Sequence, residues 1–226
     1  MITLYDLVGK DDRRFSPHCW RTKMALAHKG LAFETNPTRF TDIPSICGGG
    51  QKTVPVLEDG DKTVADSWAI AGYLEERYPD RPSLSGGQVA LTLFVQSWAG
   101  SRLHPALIRL IVFDIYEHLD PADRDYFRET REKRFGTTLE AMQEGREEAL
   151  PVFQAALDPL RHTLHAHDFL GGDAPLYADY LVFGTLQWAR TISPFRLLEE
   201  DDPVLDWFDR CLDLHDGLGR AAPGCD

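Results

Sequence analysis

The pattern of apolar and polar positions changes character near residue 80. Before it, short alternating segments dominate; after it, apolar residues recur at helical spacing. Residues 2–8 alternate apolar and polar and predict a strand. Ser16-Pro17 then opens a helix to about Lys29, with a good N-cap and a proline at the first helical position, and Gly30 ends it. Residues 31–36 predict a second short strand. Pro37, Pro44 and the Gly48-Gly49-Gly50 run predict a loop over 37–52. Residues 54–57 and 63–65, around Asp59-Gly60, predict a hairpin. Asp66-Ser67 starts a helix to about Tyr78, stopped by Pro79. The predicted order is β-α-β, loop, β-β-α.

Residues 79–88 have a linker composition. Beyond them the spacing predicts helices only. Residues 91–119 form one apolar stretch that Gly100 and Pro105 must bend or interrupt. Residues 121–148 are rich in charges of both signs and predict a long solvated helix. Residues 151–165, 177–190 and 203–215 predict three more. Two domains are expected: a small α/β unit over 1–80, a linker over 81–88, and a helical domain over 89–226.

The chain has 226 residues, 43% of them hydrophobic, enough for a real core in one or two domains. With 24 Lys and Arg against 36 Asp and Glu, the net charge is −12. Such a chain repels phosphate backbones and anionic lipid, which argues against a nucleic-acid or membrane partner. No apolar stretch is long enough to span a bilayer, because Arg109 interrupts even the segment over 105–113. No secretory signal is visible at the start, so a cytoplasmic protein is expected. Cys19, Cys47, Cys211 and Cys225 are too few and too scattered for a disulfide framework or a zinc finger. The histidines at 162, 165 and 167 read as residues near a helix end, and no metal is expected.

Three segments carry candidate chemistry. Ser16-Pro17-His18-Cys19 lies between the first strand and the first helix, where Ser16 serves at least as an N-cap. The layout, with a Val-Pro before the third strand, is that of the thioredoxin fold, in which the start of the first helix activates a thiol. Here Ser16 stands at the first place of a Cys-x-x-Cys pattern, so dithiol chemistry is not available. A small-molecule thiol fills that role if the Ser16 hydroxyl donates to its sulfur and the helix N-terminus favours the thiolate. Cys19, one turn inward, reads as a small buried hydrophobe. A cis Val54-Pro55 bond would turn the Val54 backbone toward a peptide-like ligand. Asp66-Ser67 offers a hydroxyl, free N–H groups and a carboxylate, which suit a group bearing both a carboxylate and an ammonium. The alternative for Asp66-Ser67 is a plain acidic helix start.

Together these segments resemble the glutathione S-transferases. The likeness extends through the run from Ser16 to Gly30, Asp66-Ser67-Trp68-Ala69-Ile70-Ala71, residues 125–136 and residues 177–190, and covers nearly the whole chain. Within that superfamily the chain is similar to the glutathione-dependent β-etherases, which cleave lignin β-aryl ethers. The resemblance implies a thioredoxin-like β-α-β-α-β-β-α domain followed by an all-helical one. It implies glutathione as co-substrate, Ser16 as the catalytic residue, and Lys52, Val54, Pro55, Asp66 and Ser67 as its binding residues. It also implies a hydrophobic aromatic electrophile, with Trp20, Trp98 and Tyr116 at its pocket, and a homodimer. A non-catalytic binding module of the same fold, or a glutathione-dependent reductase, is the alternative. Two departures stand out. Asp66 is one methylene shorter than the Glu or Gln more usual before the serine. Leu176 replaces the Ser or Thr expected three residues before Asp179, so Asp179 is not expected to close a capping box.

Overall fold

The structure, a computed structural model, describes residues 1–225. Strand β1 (Ile2–Leu7) lies at the centre of a four-stranded sheet of order β2-β1-β3-β4. It pairs in parallel with β2 (Phe33–Thr38) and antiparallel with β3 (Val56–Asp59), which pairs antiparallel with β4 (Lys62–Ala65). The parallel pair needs a crossover, supplied by α1 (Pro17–His28); the antiparallel pair needs only the Gly60 turn. Helix α2 (Ser67–Arg77) follows β4 directly. This is the thioredoxin-like arrangement, with one correction. Between β2 and β3 there is no α-helix: Phe40–Gly48 winds as short 3-10 turns around Pro44, broken at Ile46 and Cys47. A proline inside and three glycines at positive φ just after leave no room for an α-helix there.

The second half is helical. Helix α3 (Val89–Trp98) runs through a π turn at Ala99–Leu103 into α4 (His104–Glu117), so Gly100 and Pro105 widen the helix without ending it. The long charged helix expected over 121–148 is three elements. Helix α5 (Pro121–Phe135) ends on Gly136 at φ 72°, α6 (Leu139–Gln143) is capped by the Thr138 hydroxyl, and Gly145 at φ 65° precedes α7 (Arg146–Ala156). Residues in the left-handed region stop helices whatever the surrounding charge pattern. Pro151 lies inside α7 and does not start a helix; α8 (Asp158–Leu164) follows separately. Helices α9 (Tyr177–Ile192) and α10 (Pro203–Gly217) complete the chain.

Helix α1 joins the two halves by packing along α9. They approach so closely at Gly184 that a Cβ there would overlap the Pro17 carbonyl oxygen. Helix α9 is buried along almost its whole length, with Tyr177, Tyr180 and Phe183 fully covered. Asp179 anchors its start by accepting from the N–H groups of Leu170, Gly171 and Leu176 and from Trp207 Nε1, at 2.8–3.1 Å. Asp179 therefore bonds the N-cap backbone and supplies one half of a capping box. Only the reciprocal half of the box is missing, because Leu176 has no side-chain acceptor. No helix among the described residues is long and apolar enough to cross a membrane.

Candidate functional site

Ser16 sits where β1 hands over to α1. Its Oγ accepts from Cys19 N at 3.2 Å, so it caps the helix, and the side chain is 5% exposed. Its hydroxyl hydrogen is left to donate elsewhere. Cys19 is fully buried, and burial pushes its thiol well above the ordinary range, so it is no nucleophile.

The Val54-Pro55 bond is cis, and no backbone hydrogen bond among the described residues runs to Val54. The Pro55 carbonyl accepts from Asp66 N at 3.2 Å, which puts the start of α2 beside the start of β3. Asp66 is exposed and held at φ 79°, a conformation that non-glycine residues rarely adopt. Its Oδ1 accepts from Trp68 N at 2.9 Å and Ala69 N at 3.1 Å, so one carboxylate oxygen remains for a ligand. Ser67 is buried, and its carbonyl oxygen accepts from the Tyr177 hydroxyl of α9 at 2.8 Å. A residue in this region persists only where the surroundings hold it, here the Pro55 carbonyl and, through Ser67, the Tyr177 hydroxyl. Lys52 is exposed in the loop before Val54. That loop is tied to the helical half by Asp123, which accepts from Phe40 N, Thr41 N and Thr41 Oγ1 at 2.8–2.9 Å.

The family comparisons cover both domains. Residues 12–82 match the glutathione S-transferase N-terminal domain, and residues 90–213 match the glutathione S-transferase C-terminal domain. This chain belongs to the glutathione S-transferase family. A glutathione S-transferase-like protein of Aspergillus flavus is 24% identical over 82% of this chain and 78% of its own. Glutathione S-transferase F10 of Arabidopsis thaliana is 27% identical over 84% and 85%. Among solved structures, a glutathione S-transferase of Ceriporiopsis subvermispora in complex with glutathione superposes with a TM-score of 0.82 at 27% identity, covering 98% of both chains. A glutathione transferase of Phanerochaete chrysosporium reaches 0.78 at 28% identity, covering 100% of this chain and 98% of its own.

Ser16 at the start of α1 and Asp66 with Ser67 at the start of α2 thus stand at the starts of two helices of the same domain. Of the three aromatic residues expected at a substrate pocket, Trp20 is placed otherwise. Trp20 is 2% exposed, donates from Nε1 to the Arg14 carbonyl at 2.8 Å and packs edge-on against Phe183. Following Cys19 down the helix turns it inward, so it is a core residue and corrects that expectation. Tyr116 is partly buried, stacks on Phe113 and lies under the Arg128 guanidinium at 4.4 Å. Trp98 is partly buried at the end of α3. Two clefts, of about 420 Å³ beside Asp158 and Arg161 and of about 310 Å³ beside Arg109 and Glu144, include none of these residues and none of the glutathione-site candidates. Tyr177 and Asp123 were not singled out from sequence. Each acts across 80 or more residues of chain (110 from Ser67 to Tyr177), a separation that no local pattern records.

Proposed function

We propose that the protein joins glutathione to a hydrophobic aromatic electrophile, and that its substrates include aryl ethers of α-hydroxy ketones. Glutathione lies along the first domain. Its sulfur receives a hydrogen bond from the Ser16 hydroxyl at the positive end of α1, its peptide part pairs with the Val54 backbone beside Pro55, and its γ-glutamyl end meets Asp66 and Ser67, with Lys52 at the glycyl side. The thiolate attacks the carbon α to the ketone, the new S–C bond forms as the C–O bond breaks, and the electron pair leaves on a phenolate. Ketone activation and a stable leaving group ask little of the protein beyond an ordered thiolate.

The observation that carries this reading is the junction of Pro55 with the strained, half-open Asp66 carboxylate, in the same domain as the Ser16 cap. A binding module without catalysis has no need for all three. The exposed Val89, Leu91, Leu93 and Phe94 on α3 support a homodimer that covers them. Cys19, Cys47 and Cys211 form no disulfide, in keeping with a reducing cytoplasm rich in glutathione. Turnover of the purified protein with glutathione and an aryl-ether ketone, followed by other electrophiles, tests the reading. Release of phenol with formation of the thioether supports it; no binding of glutathione at about 10 mM overturns it.

A further inference from the structure

One group of side chains behind the Ser16 helix start has no part in the account above. Arg21 of α1 is 3% exposed, yet no carboxylate among the described residues bonds it. Its Nη1 donates to His18 Nδ1 at 3.1 Å and its Nη2 to His104 Nε2 at 3.0 Å, while its Nε is buried without a partner. A buried cation held by two neutral rings is costly and persists only where the surroundings over-determine it. Burial lowers its pKa to about 10, while the Asp66 carboxylate is near enough for its charge to favour the guanidinium.

The donor count settles the state of the histidines. A guanidinium only donates, so His18 Nδ1 must carry a lone pair and the ring's proton sits on Nε2. His104 is fixed in the same way, since its Nε2 accepts from Arg21 and lies 2.9 Å from Thr185 Oγ1. The two rings meet edge to face, 5.4 Å apart. Burial, with the Arg21 charge second, pushes the His18 imidazole down to about 3, so it is a donor and not an acid at any working pH. His18 is in the first turn of α1, two residues past Ser16, and it is the one side chain of Pro17, His18, Cys19 and Trp20 that is not buried. Its Nε2 has no partner among the described residues and does not belong to the buried unpartnered atoms, so it is open to solvent, on the side of α1 that faces His104.

We propose that His18 is a hydrogen-bond donor to a carbonyl oxygen of the electrophile, with Arg21 as the positioning residue that fixes its tautomer. The inference rests on the glutathione-transferase reading and deepens it: the preferred substrates are electrophiles that carry an oxygen acceptor next to the carbon under attack. As the S–C bond forms and the electron pair leaves with the phenolate, the ketone oxygen takes up part of the charge. His18 strengthens its hydrogen bond at that moment and keeps its proton. A neutral imidazole is well suited to this, because it polarises a carbonyl without the cost of transferring a proton.

Calorimetric titration with S-phenacylglutathione and with S-(2-phenylethyl)glutathione, which lacks only the carbonyl, reads the contact directly. The unmodified protein should bind the ketone conjugate about tenfold more tightly, and His18→Phe should abolish that preference while leaving the affinity for glutathione within about twofold. Equal affinity for the two conjugates in the unmodified protein, or a preference that survives in His18→Phe, overturns the proposal. Should the variant not fold, nitrogen NMR of the unmodified protein decides. His18 must show the Nε2–H tautomer, and its Nε2 proton must shift with the ketone conjugate and not with the other. Glutathione binding without any ketone preference removes this inference alone; absence of glutathione binding removes the transferase reading with it.

Discussion

The Tyr177 hydroxyl donates to the Ser67 carbonyl oxygen across 2.8 Å, and so the first residue of α9 fixes the first residue of α2. Both side chains are buried, Tyr177 at 1% and Ser67 at 3% exposure. The helical domain thereby sets the orientation of the first turn of α2, whose Trp68 and Ala69 N–H groups Asp66 caps. Removing only the hydroxyl, in Tyr177→Phe, costs about 1 kcal/mol, or roughly 2–4 °C in melting temperature. It should also raise the Michaelis constant for glutathione several-fold with little change in kcat. Thermal melts and steady-state kinetics on the one variant check both; a lower melting temperature with unchanged kinetics makes the contact structural only.

Asp66 combines a helix cap with a carboxylate oxygen that has no donor among the described residues. Asn caps as well as Asp and tolerates positive φ, so Asp66→Asn should melt within about 0.5 kcal/mol of the unmodified protein. The same change removes the charge facing the γ-glutamyl ammonium and should weaken glutathione binding by about tenfold. Asp66→Ala should lose both. Isothermal titration beside melting curves separates the two functions, and unchanged affinity in Asp66→Asn places the glutathione ammonium elsewhere.

Much of the fold was legible because its signals are local. Ser16-Pro17, Gly30, Asp59-Gly60 and Asp66-Ser67 each act within one turn of chain, and the elements they bound are found within a few residues. The charged stretch after Pro121 misled because charge periodicity is indifferent to where a helix stops, whereas Gly136 and Gly145 at positive φ are not. Of the candidate site, the helix starts at Ser16 and Asp66 were readable, but their supports were not. His104 reaches Arg21 across 83 residues, and Tyr177 reaches Ser67 across 110. Trp20 failed as a pocket residue for a simpler reason: aromatic composition does not say which face of a helix a side chain occupies.

Ser16 is both cap and proposed thiol donor, and substitution separates the two. Ser16→Ala should cost about 1 kcal/mol through the lost acceptor for Cys19 N. It should also lower turnover by about tenfold and move the onset of activity to higher pH, since a thiolate without its donor is less favoured. Ser16→Thr keeps both oxygen and hydrogen and should restore most of the activity. A pH–rate profile unmoved in Ser16→Ala would assign thiolate formation to the backbone N–H groups alone.

The apolar stripe on α3 gives a prediction independent of chemistry. Phe94 is 71% exposed and Leu91 62%. If a second copy covers them, Phe94→Glu should shift the protein from dimer to monomer in sedimentation velocity while the fold persists by circular dichroism. A monomeric unmodified protein at micromolar concentration overturns the homodimer.

The buried histidines make stability depend on pH with a definite sign. Burial, followed by the Arg21 charge, pushes His18 down to about 3 and His104 down to about 2, whereas both ordinarily titrate near 6.5. Their folded pKa values are depressed, so below pH 6.5 the unfolded chain binds protons that the folded chain refuses. The stability they contribute is complete above about pH 7 and is lost as pH falls from about 6.5 toward 3. By pH 5 each has lost at most about 2 kcal/mol of that contribution. His28 and His215, which sandwich the Tyr180 hydroxyl at 2.7 and 3.0 Å, are lowered by burial too and add to the same slope. Asp42 and Asp213 have pKa values lowered by hydrogen bonds to Arg39 and Arg220, so their contribution is lost only at more acidic pH. Urea unfolding at pH 7.5, 6 and 5 should therefore show stability falling by several kcal/mol, most of it before the carboxylates begin to titrate. His104→Gln, which keeps an acceptor for Arg21, should flatten that slope by about one proton. A stability constant from pH 7.5 to 5 would mean that these imidazoles are not held neutral, and the tautomer assigned to His18 would fall with it.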